Sequence, residues 1–241
     1  MIRGKKIIIF DMDGTLIDSV GVWNDVDRRL IARLGGVDVP GTDIQRDRDA
    51  ALKKFSTAPD PYLEYCRTLD EKYGFGLPLQ EIIRRRYEIA QDCLRSSVDY
   101  KPGAEKLLKR LKELGLTLVI ATTTKKSNME VYRTANRNIV SKAPLDEFFA
   151  RIYTREDIGE IKPSPEVHRR IMEEMDVRPE ECLIFEDSLV GVEAANNAAI
   201  QVAAVYDRYS QEETEMIRAR ADYYFSGFEE ALSAIEKELA P

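Results

Sequence analysis

The sequence is poor in cysteine and histidine, the residues from which most zinc sites and all disulfide frameworks are built. Its 241 residues include three cysteines and one histidine. Cys66, Cys93 and Cys182 lie far apart in the chain, and no two of them stand in a CxxC spacing. These observations argue against a zinc module and a disulfide scaffold, and they fit a reducing compartment.

The chain also lacks an excess of positive charge and any long apolar run. Lys and Arg number 36 against 43 Asp and Glu, which gives a net charge of −7. Nucleic acids and anionic membranes are bound through clustered positive side chains, so we expect neither as a partner. No segment approaches the ~20 apolar residues that span a bilayer, and the amino-terminal residues do not resemble a signal peptide. We expect a cytoplasmic protein, either a monomer or a homodimer.

What the sequence does contain is a series of short apolar runs, most of which end at a polar residue. The runs cover residues 6–10, 116–121, 150–153, 182–185 and 200–205, and a late aromatic run covers residues 223–225. Unbroken, β-branched runs of this length are typical of parallel strands covered on both faces. Helical periodicity lies between them, as in residues 104–114. The pattern predicts an α/β fold, a doubly wound (Rossmann-like) parallel sheet.

One stretch breaks this alternation. Residues 19–96 show helical periodicity, with Val26, Leu30 and Leu34 spaced by four, and glycine and proline residues divide the stretch into segments. We therefore predict a core formed by residues 1–18 and 97–241, with an inserted helical cap domain at 19–96. In doubly wound sheets ligands bind at the carboxyl ends of the strands.

The sharpest motif follows the first predicted strand, where residues 11–16 read DMDGTL. Just beyond a strand end the chain turns, so Asp11 and Asp13 can face one pocket, and Gly14 supplies the backbone freedom for that turn. One carboxylate can attack phosphorus, and the other can donate and accept a proton. A polar turn is the alternative. A calcium loop is disfavoured because its twelfth position, usually glutamate, is Val22.

Thr122, Thr123 and Thr124, followed by Lys125, stand at the end of the next predicted strand. Hydroxyl groups and backbone N–H groups that lead into a helix can bind a phosphate. The alternative is a capping cluster for a helix predicted around residues 128–138. Taken alone, this segment favours the capping interpretation.

Lys162 and the pair Glu186-Asp187 complete the set of candidate residues. Lysine is a flexible point charge that can neutralise phosphoryl oxygens, although Lys162 could equally be a surface residue before a helix that starts at proline. Acids at the end of an apolar strand are costly unless they are paired or bind a cation. Since Mg²⁺ favours one or two carboxylates, Asp187 together with Asp11 would make a suitable site. Acids that favour a helix amino terminus are the alternative.

These four elements, in this order, resemble the four sequence motifs of the haloacid dehalogenase superfamily. The DMDGTL run is similar to the first motif, Thr122 to the second, Lys162 to the third and Glu186-Asp187 to the fourth. The resemblance covers nearly the whole chain, because the helical insertion has the size and character of that family's type-one cap. The joint pattern is more specific than any of its pieces.

The resemblance implies a Mg²⁺-dependent phosphatase that forms an aspartyl-phosphate with a small phosphorylated metabolite, such as a sugar phosphate or phosphoglycolate. It implies that Asp11 is the nucleophile and a metal ligand, and that Asp13 is the general acid/base with its backbone carbonyl on the metal. The remaining implied roles are metal binding for Asp187, with Glu186 as a direct or indirect ligand, and phosphoryl binding for Thr122, Lys162 and the amides near Thr123.

Other activities within the family are partly separated by single residues. Asp13 disfavours a dehalogenase and a phosphonatase, because neither carries an aspartate at that place. The related beta-phosphoglucomutases usually carry a histidine where this sequence has Trp23, which lowers the phosphomutase alternative without removing it. A non-catalytic sugar-phosphate-binding or phospho-acceptor module is the remaining alternative.

Side chains of the helical insertion are weaker candidates for substrate binding. Trp23 and Arg46 are the ones we name, with Arg48 and Lys53 close by in sequence. Helices of this kind mostly pack and solvate, so each single assignment is weak. The lone histidine, His168, lies in a predicted helix away from every motif, and we expect it to be a packing or surface residue.

Overall fold

A computed structural model describes residues 1–55, 58–59 and 61–240, and for residues 49, 52, 53 and 61 it describes the backbone alone. The chain divides into two compact units. One unit, the α/β unit, comprises Met1–Val20 and Val98–Pro241. The other, the helical unit, comprises Gly21–Ser97. The predicted divisions at 18/19 and 96/97 lie one or two residues from these divisions.

The described residues of the α/β unit form a six-stranded sheet in which every pair of neighbouring strands is parallel. The strands are β1 (Ile7–Phe10), β2 (Thr117–Ala121), β3 (Arg151–Tyr153), β4 (Cys182–Glu186), β5 (Gln201–Val205) and β6 (Tyr223–Phe225). Their order across the sheet is β3-β2-β1-β4-β5-β6. The predicted doubly wound α/β fold is confirmed, and each predicted apolar run coincides with a strand to within one residue at either end.

The apolar character of β1 follows from its central place in the sheet. Successive side chains of a strand point to opposite faces, so Ile7 and Ile9 lie in one buried cluster, which also contains residues of α9, α10 and α11. Phe10 points to the other face and stacks on Phe185, with ring centroids 5.0 Å apart. All four side chains of β1 are buried because both faces of the sheet are covered.

Helices occupy most of the remaining described chain. They are α1 (Val22–Gly35), α2 (Gly41–Lys54), α3 (Pro61–Tyr73), α4 (Leu79–Ser96), α5 (Ala104–Glu113), α6 (Lys126–Thr134), α7 (Arg137–Lys142), α8 (Leu145–Phe148), α9 (Glu166–Glu174), α10 (Leu189–Asn197), α11 (Thr214–Arg220) and α12 (Phe228–Leu239). Among the helices described, none is both long enough and apolar enough to cross a bilayer.

The helix predicted around residues 128–138 is interrupted. Helix α6 ends at Thr134, and α7 begins at Arg137. The cause is Asn136, whose side chain accepts a hydrogen bond from Ile139 N at 2.9 Å and donates one to Val98 O at 3.0 Å. A buried amide that caps the next helix stabilises a break that the periodicity alone did not show.

In the helical unit a buried ionic cluster joins all four helices. Asp27 of α1 is fully buried and accepts hydrogen bonds from Arg48 of α2 at 3.3 Å, from Tyr65 of α3 at 3.0 Å and from Arg86 of α4 at 2.7 Å. Each helix therefore contributes one polar side chain to a common centre. A charge buried in this way is tolerated only while it is paired.

We predict that Asp27→Ala destabilises the helical unit by about 3–5 kcal/mol, because it leaves Arg48 and Arg86 buried without their carboxylate. Urea unfolding followed by circular dichroism measures the effect. The matched control is Asp25→Ala on the same helix, which removes an exposed pair with Arg28 at 3.7 Å and costs at most about 1 kcal/mol. Equal effects of the two variants would contradict the prediction.

His168 is the one titratable residue of α9 that is wholly buried, and neither ring nitrogen has a hydrogen-bond partner among the described residues. Burial, together with the positive charge of the nearby Lys162, lowers the pKa of His168 to about 3. The imidazole is therefore neutral in the folded protein at pH values where the unfolded chain is already protonated. His168 is therefore a packing residue, which is one of the two roles that we expected from the sequence.

We predict that His168 contributes to the pH dependence of the free energy of unfolding. Below the ordinary pKa of 6.5 the unfolded chain takes up a proton that the folded protein refuses until about pH 3, so stability falls as the pH falls through this window. The slope from this group approaches about 1.4 kcal/mol per pH unit. Urea midpoints between pH 7 and pH 4.5 should fall less steeply for His168→Leu than for the wild type. Parallel curves would contradict the assignment.

Candidate functional site

Three predicted site residues lie at the carboxyl ends of neighbouring strands. Asp11 follows β1, Thr122 follows β2 and Asp187 follows β4, and β1 lies between the other two strands. Because parallel strands end at the same edge of a sheet, residues remote in sequence become neighbours there. Backbone hydrogen bonds extend the pairing past the strand ends, from Asp11 N to Phe185 O at 3.0 Å and from Thr122 N to Tyr153 O at 3.0 Å.

The turn after β1 depends on Gly14, which has a φ of +85°. Gly14 N donates to Ile17 O at 3.0 Å, and Ile17 N donates back to Met12 O at 3.1 Å, which closes a tight loop. A Cβ atom at Gly14 would lie 2.5 Å from Asp187 Oδ2. Both the backbone conformation and the close approach of Asp187 therefore require glycine at this position.

Lys162 is buried between two carboxylates. Its Nζ atom lies 2.6 Å from Asp11 Oδ1 and 2.6 Å from Glu186 Oε1. Burial by itself would lower the pKa of Lys162, but the two carboxylates outweigh burial and raise that pKa above its usual value. The ammonium group is therefore charged at neutral pH and lies in direct contact with Asp11.

The structure gives Glu186 an environment different from that of a direct metal ligand. One carboxylate oxygen accepts from Lys162, and the other accepts from Asp187 N at 2.9 Å and from Ser188 N at 3.1 Å and Ser188 Oγ at 3.0 Å. Protein donors thus engage both oxygens. Glu186 holds Lys162 and the start of α10, so its predicted contribution to a metal site would be indirect.

The side chain of Asp13 is held by hydroxyl groups. Oδ1 accepts from Ser19 Oγ and, at 3.3 Å, from the hydroxyl of Tyr132, while Oδ2 accepts from Thr124 Oγ1. Sequence reasoning missed Ser19 and Tyr132. Thr124 belonged to the threonine run that we noted, but nothing in the sequence linked it to Asp13. With its side chain engaged in this way, Asp13 would reach a metal through its backbone carbonyl.

The residues of the threonine run and Lys125 differ in their burial. Thr122 is buried, and its hydroxyl group accepts from Thr124 N at 3.1 Å. Thr123 and Lys125 are exposed. The residue that flanks the start of α6 is Lys125, and its side chain makes no capping hydrogen bond. The first amide of the helix, Lys126 N, donates instead to Glu156 Oε2 at 2.9 Å, so the capping interpretation of the threonine run is wrong.

The remaining candidates lie in the helical unit. Trp23 is half-buried, and the guanidinium of Arg86 lies over its ring at 5.5 Å from the centroid. Arg46 is exposed and pairs with Asp43 at 3.1 Å. Arg48 belongs to the Asp27 cluster, and the side chain of Lys53 lies outside the described residues.

The electrostatics of the strand ends fit a divalent cation. Burial raises the pKa of Asp11 to about 7 against the opposing effect of Lys162, and burial together with Glu186 and Asp11 raises the pKa of Asp187 well above its usual value. Asp11 and Glu186 share one ammonium, and Asp187 is a third carboxylate close to both, which leaves excess negative charge in a buried place. A cation would relieve this excess, and oxygen donors of this kind are the ones that Mg²⁺ prefers.

The donor set for such a cation is small. Within the part of the chain that the structure describes, no three His, Cys, Asp or Glu side chains are grouped as a metal site. The protein would supply the carboxylates of Asp11 and Asp187 and a backbone carbonyl of Asp13. Mg²⁺ commonly binds through one or two carboxylates and keeps several water or phosphate oxygens, so this set suits Mg²⁺.

Comparison with known proteins points to one family. The model of the haloacid dehalogenase-like hydrolases matches residues 8–205. Protein CbbY of Rhodobacter capsulatus is 34% identical over 212 residues, which make up 86% of this chain and 87% of that protein. The phosphorylated carbohydrates phosphatase of Thermotoga maritima is 27% identical over 197 residues, or 81% of this chain and 82% of that protein.

The extent of the match differs between relatives. The chain matches the bifunctional riboflavin kinase/FMN phosphatase of Arabidopsis thaliana at 27% identity over 201 residues, and this match spans 83% of the chain but only 48% of that protein. Among solved structures, a putative beta-phosphoglucomutase from Thermotoga maritima superposes with a TM-score of 0.74 at 24% identity, over 96% of this chain and 99% of that one. This last likeness supports the fold.

We predict that Gly191→Ala affects Lys162 indirectly, through Glu186. Gly191 lies in the first turn of α10, and an added Cβ would overlap the Glu186 carboxylate, which would have to move away from Lys162. We expect the variant to lose about 1–3 kcal/mol of stability, which thermal unfolding measures. We also expect it to bind orthovanadate more weakly, which calorimetry measures.

The matched control for this prediction is Gly227→Ala. A Cβ at Gly227 meets nothing within 4 Å, and φ there is 176°, which any residue adopts. The control should leave stability and vanadate binding unchanged. Normal behaviour of Gly191→Ala would show that the position of Glu186 is not fixed by this close contact.

Proposed function

Because the chain belongs to the haloacid dehalogenase-like hydrolases, we propose that it is a Mg²⁺-dependent phosphatase that acts through an aspartyl-phosphate at Asp11. The prediction of the family is confirmed by the match over residues 8–205. The prediction of a phosphatase is supported by the relatives that carry this name. The chemical steps and the metal are our proposal.

One observation carries the proposal. The Asp11 carboxylate lies at the end of a central strand, 2.6 Å from a buried ammonium that remains charged. A nucleophilic carboxylate needs to be ionised, and a transferring phosphoryl group needs positive charge close to its oxygens. Lys162 acts on both needs from one position, because it opposes the effect of burial on the pKa of Asp11 and places positive charge beside the reacting group. A polar surface turn would bury neither group.

The proposed reaction has two displacements. An oxygen of Asp11 attacks the phosphorus, the bond from phosphorus to the leaving oxygen breaks, and Asp13 gives its proton to that oxygen. A water molecule then attacks the phosphorus of the aspartyl-phosphate, Asp13 takes the water's proton, and inorganic phosphate departs as Asp11 is regenerated. Thr122 and Lys162 bind the phosphoryl oxygens in both steps.

The residues present fit the proposed metal. Asp11, Asp187 and the backbone carbonyl of Asp13 would hold Mg²⁺, which when bound supplies positive charge for the phosphoryl oxygens. Thr15 orients one of these ligands, since its hydroxyl group donates to Asp187 Oδ1 at 2.6 Å. Ser210 Oγ lies 3.4 Å from the other oxygen of Asp187. Asp187 is thus held in place by the protein itself.

For the substrate we propose a small phosphorylated carbohydrate or a similar metabolite. The support comes from the matched phosphatase of phosphorylated carbohydrates, which aligns over most of both chains. The role of the helical unit as a cap, and of Trp23 and Arg46 in substrate binding, stays a prediction. The cytoplasmic location and the monomeric or homodimeric state also stay predictions.

We predict that the wild type releases phosphate from members of a metabolite panel in the presence of Mg²⁺, and that Asp11→Asn lowers kcat by about 10⁴-fold or more. The reason is that an amide cannot form the acyl-phosphate. Steady-state phosphate release measures both. Asp146→Asn is the control, because Asp146 is an exposed carboxylate that pairs with Arg133.

Three outcomes would contradict the proposal. Turnover by Asp11→Asn at the wild-type rate would remove the nucleophile, and conversion of a sugar 1-phosphate to its 6-phosphate without net release would indicate a phosphomutase. Binding of phosphorylated sugars without any turnover would indicate the non-catalytic alternative.

A further inference from the structure

Tyr132 is a buried phenol to which the proposed reaction assigns no role. It lies in α6, is 2% exposed, and its neighbours Met129 and Val131 are buried as well. Its hydroxyl group lies 3.3 Å from Asp13 Oδ1. Burial, together with the negative charge of Asp13, raises the pKa of Tyr132 well above its usual value, so the phenol keeps its proton. It can therefore serve as a hydrogen-bond donor over the whole neutral range.

Both oxygens of the Asp13 carboxylate accept hydrogen bonds. Tyr132 and Ser19 donate to Oδ1, and Thr124 donates to Oδ2. The hydroxyl groups of serine and threonine sit on short side chains, and Ser19 and Thr124 both belong to connecting segments rather than to helices or strands. The phenol oxygen of Tyr132 is placed by a packed ring on a helix. Of the three donors, Tyr132 has the position least able to adjust.

Hydroxyl groups suit a residue that gives and takes a proton. A hydroxyl group can donate to a carboxylate and can accept from a carboxylic acid, whereas an ammonium can only donate. Asp11 lies against the ammonium of Lys162, which favours its ionised form. Asp13 lies among hydroxyl groups, which can donate to it or accept from it. The two aspartates thus have the surroundings that their two proposed roles require.

We propose that Tyr132 is a positioning residue that fixes the direction of the Asp13 carboxyl group for proton transfer to the leaving oxygen. This inference rests on the proposed function. It adds a residue from outside the four motifs, and its effect runs through Asp13 rather than through contact with the phosphoryl group. Loss of the phenol oxygen leaves Oδ1 with fewer donors and allows the carboxyl group to turn away from the leaving oxygen.

The test compares two leaving groups in Tyr132→Phe, a change that keeps the ring and its packing. One substrate is the alkyl phosphate that the wild type cleaves best in the metabolite panel, whose leaving oxygen needs a proton. The other is p-nitrophenyl phosphate, whose leaving group departs without one. The quantity to compare is kcat/KM, because it reports the steps up to the first irreversible bond cleavage and excludes the later attack of water.

We expect kcat/KM for the alkyl phosphate to fall about tenfold, the size of effect expected when one hydrogen bond to a proton donor is lost. For p-nitrophenyl phosphate we expect a change of less than about threefold, since proton donation matters little there. In an Asp13→Asn background the added Tyr132→Phe change should have no further effect on either substrate, because its action runs through Asp13.

The matched control is Tyr100→Phe. Tyr100 is also buried in the α/β unit, and its hydroxyl group donates at 2.6 Å to Ala143 O rather than to Asp13. Tyr100→Phe should not lower kcat/KM for one substrate more than for the other. Equal losses on both substrates in Tyr132→Phe, no loss on either, or the same selectivity in Tyr100→Phe would each overturn the positioning role.

These results are distinguishable from failure of the proposed function. Should the wild type release phosphate from no substrate, the phosphatase proposal itself is overturned and the role of Tyr132 falls with it. Should the wild type be active while Tyr132→Phe behaves as the control does, only the role of Tyr132 is overturned.

Discussion

The contact on which the site depends is the buried ion triad of Lys162 with Asp11 and Glu186. An ammonium removed from water is stable only with opposite charge beside it, and each carboxylate lies 2.6 Å from it. Glu186 is held in turn by the amide groups that begin α10. Asp11, the proposed nucleophile, is therefore oriented by a chain of contacts that begins next to a helix terminus.

This triad also supports the proposal of a cation at the strand ends. One ammonium does not balance Asp11, Glu186 and Asp187 together, and burial makes the remaining negative charge costly. The raised pKa of Asp187 expresses that cost. A bound cation would offset the cost of burying this negative charge. A transferring phosphoryl group would bring further oxygens to the same place.

Asp11 and Asp13 stand two residues apart and have unlike surroundings. Charge surrounds Asp11, and hydroxyl groups surround Asp13. The turn at Gly14 makes the difference possible, because the chain that follows it places Thr15 against Asp187 and Ser19 against Asp13. Neighbouring residues can thus be given different surroundings by segments from other parts of the fold, as their two proposed roles require.

How far the sequence could predict the molecule depended on how local the responsible interaction was. The strand runs were visible because a central parallel strand is apolar on both faces. The family was visible because its motifs occur in a set order along the chain. The break at Asn136 was not visible, since it depends on a hydrogen bond to Val98 O, 38 residues away.

The sequence by itself determined the parallel α/β core, the helical insertion and the candidates Asp11, Asp13, Lys162 and Asp187. The tertiary structure alone decided which partners these side chains meet. Glu186 is turned to Lys162, and Tyr132 is brought to Asp13 from 119 residues away. The physical reason is that strand and helix patterns arise from periodicity within a segment, whereas the direction of a buried polar side chain is set by the donors and acceptors that packing places around it.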